Sequence, residues 1–192
     1  MSHALKNMMR SHLPVSDEIV QEIIQHFEIR QIPKHGFFLM EGKVSNEYMF
    51  LEQGIMRAYT IDYEGNEVTV NFYTNNQMVF EVASFFTQSI SKENIQALTD
   101  CQGFVIRFGQ LNKLFHSIPE FREFGRAMLV KGFVALKQRT LSLINLTAEE
   151  RYAELLVHQK ELMQHVPLKH IASYLGITDS SLSRIRREGY GK

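Results

Sequence analysis

Four polar side chains near the C-terminal end of this 192-residue chain have a spacing that lets them act together. Within HIASYLGITDSSLSRIRRE (170–188), Ser180, Arg184 and Arg187 follow the i, i+4, i+7 rule and Ser183 lies one step aside. A helix over this stretch carries two hydroxyls and two guanidinium groups on one face. A guanidinium fork matches the O6 and N7 acceptors of guanine, worth roughly 1–3 kcal/mol of discrimination, and small hydroxyls reach base edges without blocking approach. Ser180, Ser183 and Arg184 are therefore the candidates for base contact. Lys169, Thr178, Arg186 and Arg187 are the candidates for phosphate contact, which sets position rather than sequence preference. Asp179 can accept from a cytosine amino group, although a place beside Thr178 suits helix capping better. The plainer alternative is a helical hairpin whose arginines are merely solvated.

The apolar residues beneath these groups argue against that alternative. Counting from Leu168, a helix-turn-helix needs buried aliphatics at the fourth, eighth, tenth, fifteenth and eighteenth places, and the chain supplies Ile171, Leu175, Ile177, Leu182 and Ile185. Ala172 is small where two helices must cross, and Gly176 stands where the turn needs a positive φ. Thr178 is the expected N-cap of the second helix. The whole chain carries zero net charge, but from Leu168 to Lys192 five basic residues (Lys169, Arg184, Arg186, Arg187, Lys192) oppose two acidic ones (Asp179, Glu188).

The elements that position this unit read from the N-terminus. Ser16-Asp17-Glu18 starts a helix on which Val20, Ile23, Ile24 and Phe27 fall at helical spacing. From Glu28 to about Arg107, short β-rich runs (FFLM, EYMFLE, IMRAYTI, EVTVNFY, FVIRF) alternate with turn signals at Pro33 to Gly36, Glu41-Gly42, Gln53-Gly54 and Gly65-Asn66. That rhythm predicts an antiparallel β-roll or jelly roll. After Pro119 the stretch Glu120 to Asn145 lacks proline and predicts a helix about 40 Å long. Leu129, Gly132, Leu136, Leu143 and Leu146 form a stripe along it, with Gly125 and Arg139 at the intervening places. The stripe is longer than a small roll can cover and predicts a pairing surface; a helix simply packed on the roll is the other reading. Thr147-Ala148-Glu149-Glu150 has the capping-box form and opens a further helix. The expected division is an α+β chain with a roll over 1–117, a long dimerisation helix over 118–146, and a helix-turn-helix unit over 147–192.

Composition removes several classes. Hydrophobic residues at 44% and charged residues at 22% are ordinary for a globular protein and exclude disorder. No apolar stretch reaches membrane-spanning length and the opening MSHALKNMMRSH is not a signal sequence, which suits the cytoplasm. A single cysteine, Cys101, excludes an intramolecular disulfide and a four-cysteine cluster; it reads as a small buried residue or, less plainly, a redox-sensing thiol. His158, His165 and His170 match no metal motif by spacing and read as surface or packing residues. No histidine lies between Phe37 and Arg107, so a cupin-like enzyme has no metal ligands of the usual kind, and no enzyme is expected.

The order roll, long helix, helix-turn-helix resembles the Crp/Fnr family of bacterial transcription regulators, from about Val15 to Glu188. The stretch IASYLGITDSSLSRIR carries the resemblance most specifically, with the strand pattern around EYMFLEQGIMRAY and DYEGNE. It implies a homodimer paired through its long helices, a sensory domain resembling a cyclic-nucleotide-binding roll, RNA polymerase as a further partner, and double-stranded DNA carrying an inverted repeat. Half-sites would lie about 34 Å apart.

Two departures accompany it. The family's phosphate-binding cassette corresponds to FEVASFFTQSISKENIQA (80–97), where Phe80 takes a glycine place and Ser91-Lys92 stands for arginine-serine. Glu81 remains and can bond a ribose hydroxyl. Without a guanidinium there is no bidentate phosphate clamp, and Lys92 offers only a point charge. Glu81, Ser91 and Lys92 thus mark either a pocket for a small-molecule effector of unknown identity or an empty, vestigial one in which Glu81 is a solvated or structural carboxylate; cyclic AMP, haem and an iron–sulfur cluster are disfavoured, and no resident cofactor is expected. The second departure is that only Gly189 to Lys192 follow the recognition helix, so no β-hairpin wing is expected and DNA affinity must rest on the helices and on dimerisation. The rival function is an interaction or regulatory module that has lost effector sensing or DNA contacts.

Overall fold

The computed structural model describes residues 3–12 and 16–189; of the tail considered above, Tyr190 to Lys192 lie outside the described residues. Two helices come first, α1 (His3–His12) and α2 (Asp17–Ile24). The Ser16 hydroxyl caps α2 by accepting from the Ile19 amide, and Val20, Ile23 and Ile24 are buried as their spacing requires. The sequence pattern gave no warning of α1, which buries Leu5 and Met9 one turn apart.

Eight strands follow: β1 (Glu28–Ile32), β2 (Phe37–Leu39), β3 (Glu47–Gln53), β4 (Met56–Ile61), β5 (Glu67–Tyr73), β6 (Gln77–Val79), β7 (Asn94–Ala97) and β8 (Cys101–Arg107), with a short helix α3 (Val82–Thr87) between β6 and β7. They form two four-stranded antiparallel sheets, β1-β8-β3-β6 and β2-β7-β4-β5. Between the sheets lie Met49, Leu51, Val79 and Val105 from the first and Leu39, Met56, Ala58, Ile95 and Ala97 from the second. Gly103 of β8 permits the close approach of β3, because a Cβ there would come 2.3 Å from the Phe50 carbonyl oxygen. The other face of the first sheet, with Tyr48, Phe50, Phe104 and Ile106, packs on α1, α2 and α4 (Phe108–Ser117).

The long helix α5 (Pro119–Asn145) begins with Pro119 in its first turn and runs for 27 residues. Its first turns are anchored to the roll by Phe121, Phe124 and Gly125, the last lying against the Phe115 ring. Beyond Met128 the helix leaves the roll and becomes largely exposed. Thr147 and Glu150 form the expected capping box at the head of α6 (Ala148–His158). After α7 (Leu162–His165) come α8 (Leu168–Leu175) and α9 (Asp179–Gly189). Their shared core, with Tyr152, Leu155, Leu162, Ile171, Leu175, Leu182 and Ile185, continues into Ile55, Phe72 and Leu98 of the roll. The architecture is the expected α+β one: antiparallel roll, long helix, helical C-terminal unit. Among the described residues no helix is long and apolar enough to cross a membrane.

Candidate nucleic-acid interface

The pair α8–α9 is built from the residues that its spacing selects. Ile171, Ala172, Leu175, Leu182 and Ile185 are buried, and Ile177 is half-buried against them. Gly176 ends α8 in the left-handed region at φ +69°, its amide donating to the Ala172 and Ser173 carbonyls. A Cβ at Gly176 would meet only Leu143 Cδ2 at 3.6 Å, an ordinary contact, so backbone conformation rather than space demands glycine. Thr178 Oγ1 accepts from the Ser181 amide at 3.2 Å and caps α9, while also bonding the hydroxyls of Ser180 and Ser181. Asp179 lies in the first turn, where a carboxylate favours the helix dipole.

Burying Leu182 and Ile185 turns the opposite face outward. Ser180, Ser183, Arg184 and Arg187 are exposed, as are Lys169 and Thr178. Neither Arg184 nor Arg187 makes an ion pair among the described residues. Arg186 differs: it is half-buried, and its Nε is enclosed without a hydrogen-bond partner among the described residues.

Two arginines that the sequence reading did not assign hold α8 from behind. Arg151 on α6 donates from Nε and Nη2 to the Leu175 carbonyl and from Nη1 to the Leu146 carbonyl at 2.6 Å. Arg139 on α5 stacks 3.6 Å above the Tyr174 ring and donates to the Tyr174 carbonyl at 2.8 Å. These bonds satisfy the carbonyls that a helix end leaves open. Arg139 occupies a place on the expected stripe but faces its own C-terminal unit, which rotates the open face of α5. Leu129, Gly132, Leu136 and Leu143 are exposed, joined by Phe133 (68%) and Ile144 (72%). A spacing of four and three through Leu129, Phe133, Leu136, Thr140 and Leu143 describes that face.

In the roll, the Glu81 carboxylate accepts from the Ala83 and Ser84 amides at 2.9 and 2.6 Å and so caps α3. Ser91 is buried, bonding the Glu93 carbonyl and amide, and Lys92 is exposed. Burial and the nearby Glu81 charge raise the Glu93 carboxyl above its ordinary range. Phe80 packs against Tyr48, Phe85 and Phe86. Cys101 is buried, and burial pushes its thiol upward. His158 and His165 are exposed. Among the described residues no three His, Cys, Asp or Glu side chains gather as a metal would require.

Residues 29–117 match the family model described as the cyclic nucleotide-binding domain. Nearly the whole chain superposes on a transcriptional regulator assigned to the Crp/Fnr family from Eubacterium rectale, with a TM-score of 0.72, 16% identity and coverage of 93% of this chain and 87% of that one. The fold is that of the Crp/Fnr regulators. FixK2 from Bradyrhizobium japonicum is similar at a TM-score of 0.72 and 17% identity, covering 84% of this chain and 83% of that one. The c-di-GMP-responsive global regulator CLP of Xanthomonas campestris follows at 0.71 and 16% identity, covering 90% and 91%. A comparison with curated proteins finds no match by sequence.

A Crp/Fnr roll that took a cyclic nucleotide would have to offer its phosphate free amides or a cation. In this roll the Glu81 carboxylate already occupies the first amides of α3, Glu93 adds a second carboxyl nearby, and Lys92 is exposed.

Proposed function

We propose that the chain is a homodimeric, sequence-specific DNA-binding transcription regulator whose roll does not bind cyclic AMP. The observation that carries this reading is the divided surface of α9: Leu182 and Ile185 are buried, while Ser180, Ser183, Arg184 and Arg187 stand exposed with no competing ion pair among the described residues. A small, polar, cationic helix face is what enters a major groove. Ser180, Ser183 and Arg184 read base edges. Lys169, Thr178, Arg186 and Arg187 hold phosphates, Arg186 by extending its half-buried stem towards the backbone. The roll (1–117) and the reading unit (147–192) are joined by a dimer helix (118–146), paired with a second copy through Leu129, Gly132, Leu136 and Leu143.

The exposed apolar run on α5 supports that pairing, since an unpartnered face of this length in water is costly. Relatives of this fold named as transcription regulators support a non-enzymatic role. RNA polymerase is the expected further partner, a small molecule other than cyclic AMP the expected effector if there is one, and the cytoplasm the expected location.

Selection of bound sequences from random duplexes, using the full chain, tests the proposal. The expected product is an inverted repeat with half-site centres about 10 base pairs apart. Failure to enrich any sequence over the starting pool would overturn it.

A further inference from the structure

Arg57, on β4, is the largest fully buried side chain among the described residues, 1% exposed, and nothing in the reading of DNA yet uses it. A guanidinium removed from water must be paired by groups that the fold supplies. Its partners come from two parts of the molecule. Arg57 Nη2 donates to Glu67 Oε2 on β5 at 2.5 Å, and the guanidinium lies 4.0 Å from the Tyr59 ring centre, both within the roll. Arg57 Nη1 is bonded to His170 Nδ1 on α8, 113 residues away in sequence. Because a guanidinium can only donate, His170 accepts at Nδ1 and is held as the neutral ring with its proton on Nε2.

One turn further along α8 lies a second, independent contact. Ser173 Oγ accepts from the Thr69 amide at 2.8 Å and donates to the Glu67 carbonyl at 3.2 Å. β5 is an edge strand of its sheet, and its outward amides and carbonyls need partners from outside the sheet. Ser173 supplies one of each. Tyr174 then packs on Phe72 of β5, ring centres 5.1 Å apart. The helix that sets the angle of α9 is therefore gripped from both sides: by Arg139 and Arg151 from the long helix and α6, and by Arg57, Glu67 and Thr69 from the roll. On β4 the neighbours of Arg57, Met56 and Ala58, point the other way into the interior of the roll. A single sheet thus separates the roll's interior from α8.

We infer that Arg57 is a positioning residue for the DNA-reading unit: by joining Glu67 of the roll to His170 of α8 it fixes the orientation of α9 relative to the long helix. This rests on the DNA-binding reading above and adds its regulation, since a shift of the β4–β5 sheet, from whatever cause, moves the latch and with it the reading helices. An unlatched unit keeps its own fold and its contacts with one half-site, but two units held to the long helices through Arg139 without the roll's latch are less firmly oriented and lose part of the effective concentration that makes a second half-site bind.

The test uses the full chain with Arg57→Met, which keeps length and removes both hydrogen bonds. Two readouts are taken: hydrogen exchange of the β5 and α8 amides, Thr69 above all, and affinity for the selected inverted repeat against a single half-site. The expected result is at least about tenfold faster exchange at Thr69. Affinity for the full repeat should fall about tenfold, with less than about twofold change on the half-site. Ser173→Ala, which leaves no buried charge unpaired, should give the same pattern at roughly a third of the size and serves if Arg57→Met does not fold. Unchanged exchange, or equal losses on full and half sites, would overturn the inference. If the wild-type chain selects no duplex, the proposed function fails and the control of DNA reading with it, while the exchange experiment still decides by itself whether the latch exists.

Discussion

Replacing Gly176 by alanine isolates the conformational demand of the turn between the two C-terminal helices. The residue sits at φ +69°, and the added Cβ meets only Leu143 Cδ2 at 3.6 Å, so no clash contributes. What remains is the left-handed backbone, which costs an L-residue about 1–2 kcal/mol. For a chain of this size that corresponds to a fall in Tm of roughly 2–8 °C. Gly176→Asn should cost about half as much, because asparagine tolerates this region through local hydrogen bonding. Thermal unfolding followed by far-ultraviolet circular dichroism measures both. A neutral alanine, or an asparagine as damaging as alanine, would refute the claim that φ alone demands glycine.

Three further outcomes follow from the geometry. Phe133→Glu, at a position 68% exposed on α5, should convert a dimer into a monomer in sedimentation velocity with unchanged helix content, and an unaltered dimer would move the pairing surface elsewhere. Arg187→Ala should weaken all duplexes alike and reduce the slope of log affinity against log salt by about 1, whereas a change in sequence preference would remove its phosphate role. Burial, then the Arg57 and Lys169 charges, lower His170 to about 4 against the opposing pull of Glu67 and Asp179. Because the docked pKa is depressed, the latch is intact above the free-imidazole value near pH 6.5 and weakens as pH falls from there towards 4. Protection of the Thr69 amide, taken relative to its intrinsic exchange rate at each pH, should therefore fall over that window in the wild type and not in His170→Gln; His170 titrating near 6.5 by NMR would contradict the docking.

The C-terminal pair was legible because its constraints are local: Ile171, Leu175, Leu182 and Ile185 repeat at helical spacing, and Gly176 marks the turn between them. The strands with strong β-branched or aromatic runs were legible too. β1 was not, since four of its five residues are exposed, and β6 and β7 are only three and four residues long. In α4, Leu111 and Leu114 carry the helical spacing, but the helix begins at Phe108 immediately after β8 with no side-chain cap to announce it. The latch is invisible to any local pattern, because Arg57 and His170 meet only once the roll and α8 have folded together. The stripe on α5 showed an apolar helix face but not its rotation, because nothing in the spacing says that Arg139 turns inward to Tyr174. Which of its two readings Glu81 takes, ligand group or structural carboxylate, is not written in the local pattern, because its reach to the Ala83 and Ser84 amides depends on the backbone of α3.

Base preference of Arg184→Ala on the selected inverted repeat tests the central claim most directly. If α9 lies in the major groove with Arg184 at a guanine, the substitution should erase preference at one position in each half-site, a loss of about 5- to 150-fold in discrimination, and leave other positions unchanged. A variant that selects the same sequence with the same stringency would contradict the assignment of α9 as the helix that reads DNA.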